Sequence, residues 1–107
     1  MKNPMFASIR KYTGVPQLST ELVKNEEAIK AVLQPIKGFH AHYVIKTNDG
    51  VVTLTVCEDR AGADESNRVS AVWLKDKLPT FTTTPPDVTV GEVVIQSERQ
   101  LAAVATN

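Results

Sequence analysis

Two β-rich runs flank the tripeptide Asn48-Asp49-Gly50, and this pattern constrains the fold more than any other feature of the chain. An Asp-Gly pair between such runs predicts a two-residue type I′ turn that joins antiparallel strands. With Asp49 and Gly50 as the loop, His42 is expected opposite Cys57. Each strand then sorts into two faces, and a one-residue slip would exchange them. The apolar face would hold Ala41, Tyr43, Ile45, Val52, Leu54 and Val56, and the mixed face His40, His42, Val44, Thr53, Thr55 and Cys57.

The spacing of apolar residues along the rest of the chain distinguishes strands from helices. Residues 5–12 alternate as in a strand, and apolar side chains recur at helical spacing over residues 18–36. A second helix is predicted over residues 61–78, with Asp59 as its N-cap, and a last strand over residues 88–96. The order of elements is therefore βαββαβ.

This order predicts the fold class α+β. Two helices of this length can cover only one face of a four-stranded antiparallel sheet. The ferredoxin-like arrangement, with strand order 4-1-3-2, satisfies that condition. At 107 residues, the chain is expected to form a single ferredoxin-like domain over residues 1–97. Residues 98–107 are expected to be a C-terminal tail that folds only against a partner.

The first strand predicts which sheet face the helices leave uncovered. Met5, Ala7 and Ile9 are expected to face the helices. The other face of this strand would show Phe6, Ser8, Arg10 and Tyr12. A sheet face that also carries Val44 is not expected to stay in water. Two such sheets would pack face to face, which predicts a homodimer that closes an α/β barrel.

The charge balance argues against a nucleic-acid partner. Lys+Arg and Asp+Glu number 12 each, whereas nucleic-acid binding usually needs a basic field. The single cysteine, Cys57, excludes an internal disulfide and fits a reducing compartment. The sequence shows no apolar signal segment, and no apolar run approaches the ~20 residues of a membrane-spanning helix. A cytoplasmic protein without a membrane partner is expected.

His40 and His42 are the two histidines of the chain, and they lie two residues apart on a predicted strand. A catalytic zinc site would need a third ligand, and no H-E-x-x-H or C-x-x-C motif accompanies them. No metal or other cofactor is therefore expected. A histidine that is neutral near pH 7 is suited to act as a general base. Arg10 could hold a substrate carboxylate or enolate, and Tyr12 could donate to an oxyanion; alternatively, both make structural or inter-subunit contacts.

Five segments spread over residues 5–97 carry a resemblance to known proteins. They are MFASIRKYTG, GFHAHYVI, TNDGVVTLTVCED, DRAGADESNRVSAVWLKDKL and GEVVIQ. They resemble the dimeric α/β-barrel superfamily and, more narrowly, domains related to antibiotic biosynthesis monooxygenases. The resemblance implies a site in the cleft between sheet and helices. It also implies, for some members, the oxidation of polyketide-like aromatic substrates by oxygen without metal or flavin.

The resemblance implies that this oxidation depends on an Asn and a Trp one helical turn apart, assisted by a Tyr and an Arg. Here Asn67 and Trp73 are six residues apart, which is about 240° around a helix axis. Ala71 stands where a turn-spaced partner of Asn67 would fall. For the haem-degrading branch of the superfamily, the resemblance implies an Asn and a Trp followed by a His. No histidine follows His42 in this sequence, so the chain is not expected to belong to that branch.

Together these patterns predict a protein that binds a small molecule. The catalytic candidates are His42, His40, Tyr12 and Arg10, and the substrate-binding candidates are Phe6, Trp73, Asn67 and Cys57. One interpretation is a cofactor-independent monooxygenase acting on a small aromatic or hydrophobic substrate. The alternative is a non-catalytic, stress-type or regulatory dimeric binding module. A water-filled pocket at His42 would favour the first, and a face closed by the partner subunit the second.

Overall fold

The computed structural model describes residues 4–99 and confirms the ferredoxin-like α+β fold. Within those residues the elements are β1 (Phe6–Tyr12), α1 (Leu18–Lys24), α2 (Glu26–Leu33), β2 (Phe39–Lys46), β3 (Val51–Cys57), α3 (Arg60–Lys77) and β4 (Asp87–Glu92). The strands pair antiparallel in the predicted order β4-β1-β3-β2. A 3-10 turn, Pro79–Phe81, follows α3. Residues 100–107 of the predicted tail lie outside the described residues.

Helix α3 begins at the predicted cap. Asp59 has extended backbone geometry, and its Oδ1 accepts a hydrogen bond of 2.8 Å from the backbone N–H of Gly62. A Cβ on Gly62 would lie 2.9 Å from Cβ of Cys57, so only a glycine lets this turn approach β3 so closely. The first turn of α3 therefore packs directly on the end of β3.

The helix predicted over residues 18–36 is two shorter helices, α1 and α2, that meet at Asn25. The backbone of Asn25 leaves helical geometry (φ −108°, ψ 22°). Its side-chain amide donates to the carbonyl oxygen of Glu21 at 2.8 Å. Asparagine side chains compete in this way with the backbone ladder, and this favours helix ends over helix interiors. The apolar spacing therefore predicted the buried stripe and missed the interruption.

The predicted hairpin register is wrong by two residues. Lys46 pairs with Val51, and His42 lies opposite Thr55 rather than Cys57. The turn is centred on Asn48-Asp49, and no non-glycine residue in the described range has the positive φ that a type I′ turn requires. A shift of two keeps residues 41–46 and 51–57 on their predicted faces of the hairpin.

Contacts with the loop after β1 explain the shift. Gly50 lies against the end of β1, where an added Cβ would be 2.0 Å from the carbonyl oxygen of Tyr12. The carboxylate of Asp49 accepts from the backbone N–H of Gly14 at 2.8 Å, and its carbonyl accepts from Val15 at 2.9 Å. The glycine is therefore needed for close approach, and not for a left-handed turn.

A β-bulge at His40 interrupts the alternation of β2. Phe39 lies opposite Cys57 and Ala41 opposite Val56, so His40 is an extra residue between the two pairs. The predicted common face for His40 and His42 rested on unbroken alternation, which the bulge removes.

The assignment of β1 to the two sheet faces is also wrong. Ser8, Arg10 and Tyr12 lie under the helices, with Arg10 only 3% exposed, whereas Ile9 is 41% exposed on the uncovered face. Apolar side chains dominate this uncovered face, which we call the open face. It carries Ala7, Ile9, Ala41, Tyr43, Ile45, Val52, Leu54 and Val56. Alternation separates two sets of side chains, but burial of a polar set needs hydrogen-bond partners, and α3 supplies one of them to Ser8 and Arg10.

Two apolar clusters hold the helices on the sheet. One joins Tyr12 and Val51 to α1 and α3, and its buried members are Tyr12, Leu18, Leu22, Val51 and Leu74. The other surrounds Cys57, with Leu33 and Ile36. Because Tyr12 pairs with Val51 and Phe6 with Cys57, the clusters lie at opposite ends of the central strands. The middle of the covered face is left to polar side chains.

Replacing Gly50 by alanine is expected to destabilise the fold by about 1–3 kcal/mol, because the new Cβ would collide with the carbonyl of Tyr12. Chemical denaturation measures this change. Gly91→Ala is the matched control, since a Cβ there meets nothing within 4 Å, and it should change stability by less than about 0.5 kcal/mol. Equal effects of the two substitutions would contradict the close approach of the turn to β1.

Candidate functional site

Six polar side chains meet between the sheet and α3, and we call them the polar layer. They are Ser8, Arg10, His42, Thr53, Thr55 and Asn67. The strand register aligns five of them, since Ser8 and His42 lie on either side of Thr55, and Arg10 lies beside Thr53. Asn67 reaches the layer from the middle of α3. The layer therefore lies between the two apolar clusters.

Asn67 ties α3 to β1. Its Oδ1 accepts hydrogen bonds from the hydroxyl of Ser8 and from Nη1 of Arg10, the latter at 2.6 Å. Nη2 of Arg10 makes a longer contact of 3.4 Å to Oγ1 of Thr55. One neutral amide oxygen thus holds both a hydroxyl and a guanidinium group in place.

Arg10 is a buried cation without a carboxylate partner among residues 4–99. Its Nε is buried and has no hydrogen-bond partner there. Burial lowers the pKa of Arg10, but a guanidinium stays protonated in proteins. Removing a charge from water is costly unless an opposite charge or several acceptors compensate. The polar layer is therefore a positively charged interior with donor capacity left over.

His42 is a neutral ring at pH 7. Burial first, and the charge of Arg10 second, lower its pKa to about 4. Its Nδ1 lies 2.8 Å from Oγ1 of Thr55. If Thr55 accepts from Arg10 and donates to Nδ1, the ring proton sits on Nε2. Such a histidine is a weak base at pH 7 and a good hydrogen-bond donor.

Tyr12 closes one side of the layer. The side chain is buried, and burial raises the pKa of its phenol despite the opposing effect of Arg10. Tyr12 therefore keeps its proton at neutral pH and is available as a donor.

Three cavities surround the polar layer. The α1–α2 groove, of about 810 Å³, lies beside β2, and its lining includes Lys24, Lys30, Phe39, His42, Val44 and Lys46. The central cavity, of about 40 Å³, is lined in part by Arg10, Tyr12, His42, Val44, Ser70 and Trp73. The α3–β4 groove, of about 620 Å³, is lined in part by Arg10, Tyr12, Asn67, Arg68, Lys75, Phe81, Pro85, Pro86 and Val88. His42 lines both of the first two cavities, and Arg10 and Tyr12 line both of the last two.

The structure brings together five of the eight site residues predicted from the sequence. Arg10, Tyr12 and His42 share the central cavity with Trp73, and Asn67 bonds to Arg10. Asn67 lines the α3–β4 groove and Trp73 the central cavity, in keeping with their separation around α3. The site lies under the helices, whereas the face assignment from the sequence had placed it on the open face.

The other three candidates line none of these three cavities within the described part of the chain. His40 is exposed at the β-bulge, and Phe6 lies at the start of β1 opposite Cys57. Cys57 is fully buried in an apolar cluster, and burial raises the pKa of its thiol. Its surroundings fit a small buried side chain better than a nucleophile.

Sequence reasoning missed Ser8 and Thr55 as members of the site. Both are fully buried polar residues of the central strands. The signal was present in the alternation, because Ser8 and Arg10 on β1 share a parity, as do Thr53 and Thr55 on β3. Partnered polar stripes of this kind indicate a lined interior once the covered face is known.

Among residues 4–99, no group of three or more His, Cys, Asp or Glu side chains is arranged to hold a metal ion. In the same range, no helix is long and apolar enough to cross a membrane.

Comparison with solved structures confirms the predicted resemblance at the level of the fold. A protein of unknown function from Nitrosomonas europaea is similar over 94% of this chain and 99% of its own, with a TM-score of 0.70 and 14% identity. A monooxygenase from the ActVA-Orf6 gene of Streptomyces coelicolor, in complex with nanaomycin D, is similar over 91% and 93%, with a TM-score of 0.63 and 14% identity. A dimeric ferredoxin-like protein from an uncultured marine organism is similar over 92% and 95%, with a TM-score of 0.63 and 16% identity.

At these identities the similarity concerns the fold. No family model matches the chain, and no curated protein sequence matches it.

The low pKa of His42 predicts a specific loss of stability in acid. Because the folded pKa, about 4, lies below the ordinary value of 6.5, the unfolded chain takes up the proton first. Stability should fall as the pH drops from 6.5 towards 4, by about 1–2 kcal/mol after allowance for partial solvent exposure of the ring. Urea denaturation as a function of pH measures this loss, which His42→Gln should remove.

His40→Gln is the matched control, because it removes the exposed histidine and leaves the polar layer intact. Its stability profile should follow that of the wild type. If wild type and His42→Gln show parallel profiles between pH 7 and 4, the buried neutral state of His42 is refuted.

Proposed function

We propose that the cleft between sheet and helices binds a small aromatic or hydrophobic molecule and oxidises it with oxygen, without a cofactor. The observation that carries this proposal is the buried charge of Arg10, which has no carboxylate partner among residues 4–99 and lines both the central cavity and the α3–β4 groove. A preorganised cation in a water-poor site stabilises an oxyanion that forms during reaction. The fold similarity to the Streptomyces coelicolor monooxygenase supports the proposal by analogy.

The size of the cavities constrains how such a substrate would bind. The central cavity, about 40 Å³, has room for a water-sized group and not for an aromatic ring. The α1–α2 groove, about 810 Å³, is large enough for a ring system and shares His42 and Val44 with the central cavity. The ring would therefore lie in the groove, with one oxygen directed into the central cavity towards Arg10.

The reaction would begin with ionisation of a CH₂ group conjugated to that oxygen. The proton passes to water in the open groove, because His42 is too weak a base at pH 7 to take it. The electron pair moves onto the oxygen as an enolate, which Arg10, the phenol of Tyr12 and Nε2–H of His42 stabilise. The sequence predicted the first two of these roles, whereas the structure favours a donor role for His42 over that of a general base.

Oxygen then oxidises the enolate. The enolate carbon gives its electrons to O₂ and forms a C–O bond, and the resulting peroxide takes up one proton. Loss of water, made from the distal oxygen and the remaining C–H hydrogen, leaves a carbonyl group. The balance is CH₂ + O₂ → C=O + H₂O, so the substrate is the only reductant.

A non-catalytic binding module is the second candidate, and one observation favours it. The central cavity is small, and the donors facing it are already partly engaged by Asn67 and Thr55. Such a site could hold a ligand without reaction. The protein would then be a regulatory or stress-type dimer that responds to the ligand.

We infer that the protein is a homodimer joined through the open face. Ile9 is 41%, Ile45 49% and Tyr43 56% exposed on this face. Contiguous apolar surface of this kind marks interaction sites. A dimeric neighbour of the same fold supports this arrangement. The seam would lie on the opposite side of the sheet from the polar layer.

Oxygen consumption with anthrone as substrate tests the proposed reaction. Arg10→Gln should lower kcat/KM by about 10²–10³, and Tyr12→Phe by about tenfold, since each removes a donor to the enolate. Arg60→Gln is the matched control, because Arg60 is an exposed cation on the first turn of α3, outside the three cavities. Equal rates in Arg10→Gln, Tyr12→Phe and wild type would eliminate the proposed site. If the wild type shows no turnover, the oxidation is refuted and the non-catalytic binding module is the candidate function that remains.

Light scattering after size-exclusion chromatography tests the dimer. The wild type should elute with twice the protomer mass, and Ile9→Asp should elute as a monomer because it places a charge in the seam. Val72→Asp is the matched control, since Val72 is 58% exposed on α3, away from the open face, and it should stay dimeric. A monomeric wild type would contradict packing through the open face.

A further inference from the structure

The α3–β4 groove lies on the opposite side of Arg10 from the α1–α2 groove, and the proposed oxidation makes no use of it. Its depth is formed by Arg10 and Asn67 of the polar layer, and Lys75 lies at its exposed rim. At about 620 Å³, it is of the size that holds small organic ligands.

We propose that the α3–β4 groove is a second binding site, specific for aromatic carboxylates, with the carboxylate on Arg10. Arg10 is 3% exposed, its Nε has no partner within residues 4–99, and no carboxylate of the described residues lines this groove. A carboxylate ligand would supply both the missing acceptor and the missing negative charge. Bonds between guanidinium and carboxylate groups are among the strongest that a binding site offers.

The rim of the groove adds to the selection for anions. Arg68 lines it but is already engaged by Glu65, at 2.6 and 2.7 Å. Lys75 makes no ion pair with a carboxylate in the described part of the chain, so its charge is available to an approaching acid. Lys75 is exposed, so its contribution should be modest and should weaken with salt.

The remaining walls indicate a flat apolar body for the ligand. They are formed largely by Ala71, Phe81, Pro85, Pro86 and Val88. Aromatic and proline side chains favour contact with a planar ring. Thr82 and Thr84 add hydroxyl groups, which suit polar ring substituents.

The α1–α2 groove is the natural comparison within the same molecule. Arg10 does not line it, and its Lys24 and Lys30 are paired with glutamates of their own helices. Lys46 lines it without a carboxylate partner in the described residues. It is therefore the matched counterpart of Lys75, as a single exposed lysine at the edge of a groove that lacks the buried cation.

Isothermal titration calorimetry with 1-naphthoate and 1-naphthamide tests the proposal, because the two probes share a ring system and differ in charge. The wild type should bind the acid at least about tenfold more tightly than the amide. Asn67→Asp should abolish that preference, because the new carboxylate, in place of an oxygen 2.6 Å from Nη1, becomes the internal counter-ion of Arg10. Lys75→Gln should weaken the acid severalfold and leave the amide unchanged, whereas Lys46→Gln should alter neither.

Equal affinity of the wild type for the two probes, or no binding of either, would overturn the proposal. So would a loss of naphthoate affinity in Lys46→Gln as large as that in Lys75→Gln. Lys75→Gln keeps the test decisive if Asn67→Asp does not fold, because Lys75 is exposed and takes no part in the hydrogen bonds of the polar layer. The experiment measures binding without turnover, so its outcome is separate from that of the oxidation assay.

Discussion

The hydrogen bond from Arg10 to Asn67 is the interaction on which the rest of the structure depends. It places a guanidinium group beneath α3, where water is nearly excluded, and compensates that group with a neutral amide oxygen. The compensation is incomplete, because Nε stays without a partner among the described residues. Burying a charge with incomplete compensation costs free energy, and such costs are found mainly at functional sites. The same contact fixes α3 across the central strands. The central cavity lies on one side of this helix and the α3–β4 groove on the other.

Polar and apolar side chains are distributed in an unusual way between the two faces of the sheet. The covered face buries Ser8, Thr55 and Arg10, and the open face exposes much of Ile9 and Tyr43 to solvent. The hydroxyl groups of Ser8 and Thr55 form hydrogen bonds within the polar layer, so their loss of water is offset. The exposed isoleucine and tyrosine have no such compensation within one protomer. Association of two open faces would remove that surface from water, and the polar layer would remain beneath the helices.

Burial and the charge of Arg10 determine the protonation of the two titratable side chains beside it, His42 and Tyr12. Burial first, and the charge of Arg10 second, lower the pKa of His42, whereas burial raises the pKa of Tyr12 despite the opposing effect of Arg10, so both side chains are uncharged at pH 7. Donors, and not bases, therefore surround the central cavity. A site of this character stabilises negative charge on a ligand better than it removes a proton. For that reason the proposed oxidation assigns the first proton to solvent, and the proposed second site takes an acid.

Local patterns predicted most of the elements and part of the site. The Asp59 cap, the strand order and the convergence of Arg10, Tyr12 and His42 follow from short-range signals that survive small errors of register. The two-residue shift of the hairpin was not predictable, because it depends on the approach of Gly50 to the carbonyl of Tyr12. That contact joins two segments whose packing no local pattern records.

The sequence by itself determined that each central strand has one mainly apolar face and one mixed face that carries the polar side chains, because a period of two separates alternate side chains. Only the tertiary structure decided which face the helices cover. Alternation does not show which of the two sets of side chains is buried, and the usual expectation places the apolar set inside. Here Asn67 arrives from α3, 57 residues after Arg10, and supplies the acceptor that lets the polar set be buried. The apolar set is thereby left at the surface, free to meet a second copy of the sheet.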